Sequence, residues 1–311
     1  MFSRASISRF LENHRERFYH RLSRPNSLLQ PALLGIIAGL LSSACVVIFC
    51  LLIELLQAGI LPDGGTENYE MLDPLIRLGL PLVASLGIVA VFVLLARQNR
   101  NVGLINVLER MTYHEGRFTL RGLFLQLTGG ALAIAGGHSV GREGPSVQIG
   151  ASSASLFGQY FDLPNHVIRT MAGCGSAAAI AASFNTPLAG VIFAMEVVML
   201  EYTLSSFVPV ILASVSGTVF SIFVFGDTPV FLIPEVRIST LRELPLIIIL
   251  GFLAGILSNL FINLVTFTGH KTRDWQFLVQ LILAGLIVGL AVMAMPEVLS
   301  MGYVTVNLVI I

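Results

Sequence analysis

Apolar residues fill this chain in two kinds of run. Long, unbroken runs cover about residues 28–58, 74–96, 244–268 and 275–295, and each has roughly the 20 residues that a helix needs to cross a bilayer. The first exceeds that length, which predicts a tilted span. From 120 to 225 the runs shorten to 120–135, 144–161, 165–184, 187–200 and 205–225, separated by Gly, Pro and small polar residues. Helices interrupted at membrane depth are tolerated where they are buried in protein or line a polar cavity, so this middle region is expected to hold a site. Simple kinks, common in membrane helices, are the competing reading. Small residues at Gly173, Gly175, Ser176, Ala177, Ala178, Ala181 and Ala182 predict close helix packing there.

The opening span has an echo later in the chain. Leu34–Ser42 reads LGIIAGLLS and Leu250–Ser258 reads LGFLAGILS, six identities in nine positions. Similarity of this kind marks repeated transporter halves, although two spans rich in Leu, Gly and Ala also converge by composition. Charge then orients the spans. Residues 1–26 carry Arg4, Arg9, Arg15, Arg17, Arg21 and Arg24 against Glu12 and Glu16, with Ile7, Phe10, Leu11, Phe18 and Leu22 on one helical face. This predicts an interfacial amphipathic helix over 1–27, with a solvated helix as the alternative. The 58–73 loop holds Asp63, Glu67, Glu70 and Asp73 and no base, whereas Arg97, Arg100, Arg110, Arg117 and Arg121 follow the second span. Basic flanks around an acidic loop predict a cytoplasmic N-terminus. Lys271 and Arg273 place the last inter-span loop inside as well, so the second copy of the repeat would enter inverted relative to the first.

Composition agrees with lipid as the solvent: 311 residues, 55% hydrophobic, 12% charged, mean hydropathy +0.84, against about 25% charged residues in soluble domains. The net charge of zero gives no support to nucleic-acid binding. Cys45, Cys50 and Cys174 lie in apolar segments and read as small packing residues, not as a disulfide framework or a metal site.

The candidate chemistry sits at residues 136–150, GGHSVGREGPSVQIG, where Arg142 and Glu143 stand between glycines in a stretch otherwise nearly free of charge. Ionisable groups at membrane depth are costly and are functional candidates by default. Pro145 suits the first turn of a helix starting near residue 144. Such a helix would aim its first N–H groups and positive dipole end at whatever precedes it, an anion site without a full positive charge. A phosphate loop would want Lys and then Ser or Thr after the last glycine, where Pro145 and Ser146 stand here; a tight helix–helix connection is the bland alternative. A membrane enzyme using Arg142 and Glu143 as charge clamp and acid lacks a nucleophile–base pair. His138 is the only candidate partner, and it reads better as a packed or capping group.

Two motifs together carry a resemblance. Gly141-Arg142-Glu143-Gly144-Pro145, continued by Ser146–Gly150, and Ser183-Phe184-Asn185-Thr186-Pro187-Leu188-Ala189-Gly190 running on to Glu196 resemble, in order and spacing, the signatures of the ClC chloride channels and chloride/proton antiporters. The resemblance implies an all-α integral membrane protein of the ClC-type inverted-repeat fold with tilted and broken helices, usually a homodimer with one anion pathway per subunit. It implies a voltage-gated chloride channel or chloride transport protein in which Glu143 is the gate and the backbone amides of Arg142, Glu143 and Gly144 bind chloride. Gly141, Pro145, Asn185, Pro187 and Glu196 support the two motifs. Chloride is the transported ligand, with protons as a second candidate; no cofactor or metal is implied, and the expected location is a bacterial inner membrane.

Three departures qualify what the resemblance implies. The family's other anion signature falls at Asn101-Val102-Gly103-Leu104-Ile105, where Val102 replaces a hydroxyl that would touch a central ion. Glu196 is followed by Val197 and not by a second acid, as in channel-type members. The later motif and the tyrosine facing the central ion have no counterpart before Ile311, and Tyr303 is not that tyrosine. The expected organisation is therefore 1–27 interfacial helix, 28–226 first membrane repeat with the anion motifs, and 227–311 linker and start of an incomplete second repeat. The competing functional reading is a non-conducting ClC half that only dimerises or regulates.

Overall fold

The computed structural model describes residues 29–61, 69–95, 102–227, 243–295 and 298–302. The expected interfacial helix, Arg97, Arg100 and Tyr303 lie outside the described residues. Within them the regular structure is helical: α1 (Leu29–Ile60), a 3₁₀ turn (Tyr69–Met71), α2 (Pro74–Leu95), α3 (Leu104–Tyr113), α4 (Leu120–Ala135), α5 (Glu143–Tyr160), α6 (Asn165–Phe184), α7 (Pro187–Phe193) running into a π-helical turn (Ala194–Met199), α8 (Leu204–Phe225), α9 (Glu243–Thr272) and α10 (Phe277–Ala294). Six of these, α1, α2, α6, α8, α9 and α10, are long and apolar enough to cross a membrane.

Each apolar run of the sequence becomes a helix, with two differences. The 187–200 run is not one α-helix, because the chain widens into π geometry at Ala194. In addition, α3 lies where the sequence suggests only a basic loop. It is short, with Glu109 and Arg110 on it, but Val107 and Met111 are buried on its inner side.

The helices α1, α5, α6 and α8 pack around one another at the centre. Lipid supplies no hydrophobic drive between helices, so close contact and interhelical hydrogen bonds must hold them. The small residues meet that need. A Cβ added at Gly39 would come within 2.7 Å of Ala213 Cα on α8, and one added at Gly150 within 2.7 Å of Ala179 Cβ on α6. Ser42 of α1 donates to the Gly150 carbonyl at 2.9 Å and lies 3.1 Å from Ser153 Oγ. Around this seam Val107, Met111, Val147, Ile168, Met171 and Met195 form one buried cluster, and Val46, Phe49, Ile134 and Ile149 form another.

A tyrosine from the acidic loop ties that loop to α1 and to the end of α4. Tyr69 is 2% exposed; its hydroxyl donates to the Ala135 carbonyl at 3.0 Å and accepts from Gln57 Nε2 at 3.1 Å. His138 is likewise structural in its contacts: its Nε2 lies 3.1 Å from Ser85 Oγ, which donates to the Leu281 carbonyl. It links the 136–142 loop to α2 and α10. By contrast, the side chains of α9 from Leu244 to Lys271 are exposed throughout.

Candidate functional site

The GREGP motif opens α5. Arg142 is the N-cap and Glu143 the first helical residue, so the helix begins one residue earlier than the sequence suggests, and the acid belongs to the first turn. The first N–H groups of any α-helix lack an intrahelical acceptor, and Pro145 has no N–H to contribute. The positive end of α5 is therefore gathered on the amides ahead of Pro145.

Glu143 turns back onto that end. A Cβ placed on Gly141 would overlap Glu143 Oε2, and would lie 2.9 Å from Glu143 Cδ. Gly141 is thus the residue that lets the carboxylate fold over the helix start. A negative group in the first turn is favoured by the macrodipole. A carboxylate there and an incoming anion would be drawn to the same helix end.

Arg142 points elsewhere. Its Nη2 donates to the Ser183 carbonyl at 2.6 Å, and its guanidinium sits 5.6 Å from the centre of the Phe184 ring. It therefore neutralises the C-terminal, negative end of α6 and joins the two motifs. Asn185 ends α6 with φ 54°, a left-handed geometry that Asn tolerates better than most residues, and its Nδ2 donates to Asp227 Oδ1 at 2.8 Å. Pro187 then starts α7. A cleft of about 180 Å³ lies beside the guanidinium, lined among others by Cys50, Glu54, Asn185 and Ser221.

Of the residues singled out in the sequence, Gly141, Arg142, Glu143, Gly144 and Pro145 form the mouth of α5, and Asn185 and Pro187 are drawn to it through Arg142. Glu196 is not. It is exposed in the π turn, whose Met199 packs on Gly173. That contact is ten residues back along α6 from Ser183, roughly 15 Å at the helical rise.

A second helix start meets the site from α3. A Cβ built on Gly144 would be 3.9 Å from the Leu104 nitrogen, so the starts of α3 and α5 lie against one another. Gly103, with φ 76°, leads into α3. Its N–H meets Gln126 Oε1 at 2.8 Å and also Gln148 Oε1, while Gln148 Nε2 donates to the Gly122 carbonyl. Both glutamines are buried. Val102, the position expected to carry a hydroxyl, packs instead into an apolar cluster with Ile88, Phe92, Leu125 and Phe277. The two glutamines are not among the residues that the sequence singles out. The available signal is a polar residue inside each of two apolar helical runs.

Two helix starts that meet inside a membrane-spanning bundle, one of them guarded by a carboxylate, form an arrangement suited to an anion. Comparison with known proteins points the same way. Residues 82–311 match the family model described as voltage gated chloride channel. The chain is 32% identical over 200 residues to the voltage-gated ClC-type chloride channel ClcB of Escherichia coli, covering 62% of this chain and 47% of that protein. It is 30% identical over 191 residues to the H(+)/Cl(-) exchange transporter ClcA of Vibrio cholerae, covering 58% of this chain and 41% of that one. The chain spans less than half the length of these two curated relatives. The fold resembles that of a CLC-type fluoride/proton antiporter, with TM-score 0.71 and 23% identity over 90% of this chain and 68% of the other. It also resembles that of a slow cyanobacterial Cl-/H+ antiporter, with TM-score 0.68 and 21% identity over 88% and 66%. The chain is an integral membrane protein, helical in the regular structure of its described residues, and belongs to the ClC family of chloride channels and transporters.

Proposed function

We propose that this chain moves chloride across the membrane along a path that begins at the start of α5, with Glu143 as the gate. The observation that carries the reading is the Glu143 carboxylate folded over Gly141, beside the start of its own helix. Deprotonated, it holds the place of the anion; protonated or displaced, it yields that place to chloride, bound by the amides of Arg142, Glu143 and Gly144. The engagement of the Arg142 guanidinium with the Ser183 carbonyl supports a path that uses backbone amides and not the side-chain cation. Val197, in place of a second acid after Glu196, favours conduction without obligatory proton exchange. Calorimetric chloride titration of the purified chain tests the gate: Glu143→Gln is expected to bind chloride more tightly than wild type, because the competing charge is gone. Equal affinities would count against the proposal.

A second reading is favoured by α9, whose side chains are exposed throughout a span of lipid-crossing length. On that reading the path conducts only when further helices, or a second copy in a homodimer, cover α9. We place the N-terminus on the cytoplasmic side of a bacterial inner membrane, from the arginine pattern. In a background lacking Cys45, Cys50 and Cys174, a Gly65→Cys variant should react with an impermeant thiol reagent added outside intact cells. Reaction only after the inner face is opened would reverse the orientation.

A further inference from the structure

The meeting of α3 and α5 contains one donor and two acceptors. Gly103 N–H faces the carboxamide oxygens of both Gln126, from α4, and Gln148, from α5. The side chains are 5% and 0% exposed, so neither carboxamide turns to bulk water. One N–H satisfies one acceptor well, and two carbonyl-type oxygens brought to the same hydrogen repel one another. An ordinary helix cap needs a single side-chain oxygen. The second carboxamide is therefore surplus to capping.

A carboxamide differs from a hydroxyl, a carboxylate or an ammonium in that half a turn about its last torsion exchanges an acceptor for two donors. That torsion is broad and two-fold. Gln148 is held in one sense, because its Nε2 donates to the Gly122 carbonyl. With an anion between the two helix starts, reversal of Gln126 would turn its Nε2–H towards it while Gln148 keeps Gly103 N–H. The residues flanking Gly103 offer nothing comparable: Val102 is packed among apolar residues, and Leu104 is apolar.

We infer that Gln126 is a specificity-determining ligand of the path, switching from cap to anion donor as chloride passes between the starts of α3 and α5, while Gln148 keeps the Gly103 N–H. The inference rests on the chloride path proposed above and adds to it a neutral, reversible side-chain donor. Neutrality has a consequence: a fixed cation there would trap the anion, whereas a carboxamide binds it and lets it go. It also favours small, strongly hydrated anions, which need good donors to replace lost water, over large weakly hydrated ones.

The test is calorimetric titration of the detergent-solubilised full chain with chloride and with thiocyanate. Gln126→Met keeps length and burial but removes the donor. It is expected to weaken chloride binding about tenfold, the worth of one hydrogen bond to a charged group, and to leave thiocyanate binding little changed. Gln126→Glu, which places a fixed acceptor charge at the junction, is expected to abolish binding of both anions near neutral pH. Gln126→Leu repeats the test should Gln126→Met fail to fold. A purely structural role would lower both anions together or neither, and either result overturns the inference. Absence of chloride binding in the wild-type chain would overturn the path itself and the inference with it. Wild-type binding that responds to Glu143→Gln but not to the glutamine variants would overturn the inference alone.

Discussion

Leu34–Ser42 in α1 and Leu250–Ser258 in α9 carry nearly the same nine residues in opposite surroundings. In α1, Gly35 and Gly39 lie against the backbone of Pro209 and Ala213, and Ser42 is bonded to the Gly150 carbonyl. In α9, a Cβ added at Gly251 or Gly255 would meet nothing within 4 Å, and every side chain of the stretch is exposed. The pattern is thus a seat for a close neighbour, written twice and filled once among the described residues. Small residues pack helices only by what they admit. Glycine contributes no area of its own, and its value lies in letting an opposing backbone approach. The filled seat also serves the site: Ser42 grips α5 at Gly150, two turns from Glu143, and so helps hold the helix start proposed to receive the anion.

The difference between the two seats can be broken at three levels of force. The largest effect is expected from a bulky side chain. Gly39→Leu must push α1 off Ala213 and should cost about 3 kcal/mol or more, whereas Gly255→Leu should stay within about 0.5 kcal/mol. Thermal unfolding of the detergent-solubilised chain measures both, and equal losses would show that the α9 seat is also filled. A smaller effect follows from the hydrogen bond. Ser42→Ala removes the donor to Gly150 and should cost about 1 kcal/mol, while Ser258→Ala should cost nothing measurable. The smallest structural effect, but a sharp chemical one, is labelling. With the native cysteines removed, Ser258→Cys should react readily with a membrane-permeant maleimide and Ser42→Cys should not. Protection at both positions would show that the second seat is covered in the intact protein.

Most of the helical layout is legible in the sequence because apolar runs of membrane length leave few alternatives. The limits of α1, α2, α4, α6, α8 and α10 fall within about two residues of the runs that predict them. The short α3 is not legible, since Glu109 and Arg110 break its apolar pattern and its buried apolar side rests on Val107 and Met111 alone. The widening at Ala194 leaves no mark in composition. At the site, Glu143 and its glycines can be read directly, because a charge set between glycines in an apolar region is costly unless it is used. The role of Arg142 cannot, since its partner is a backbone carbonyl 41 residues away. Gln126 and Gln148 escape for a related reason: single polar residues within apolar runs gain meaning only when folding brings them to the same N–H.

The central claim is that the Glu143 carboxylate and chloride compete for one helix start. Its most direct measurement is the pH dependence of chloride flux from liposomes carrying the complete assembly to which this chain belongs. Wild-type flux should rise as external pH falls and the carboxylate is protonated. Glu143→Gln should give flux that is higher at neutral pH and nearly independent of pH, while Arg142→Gln should keep the wild-type dependence. A Glu143→Gln assembly that retains the wild-type pH profile would contradict the claim, because the gate would then lie elsewhere.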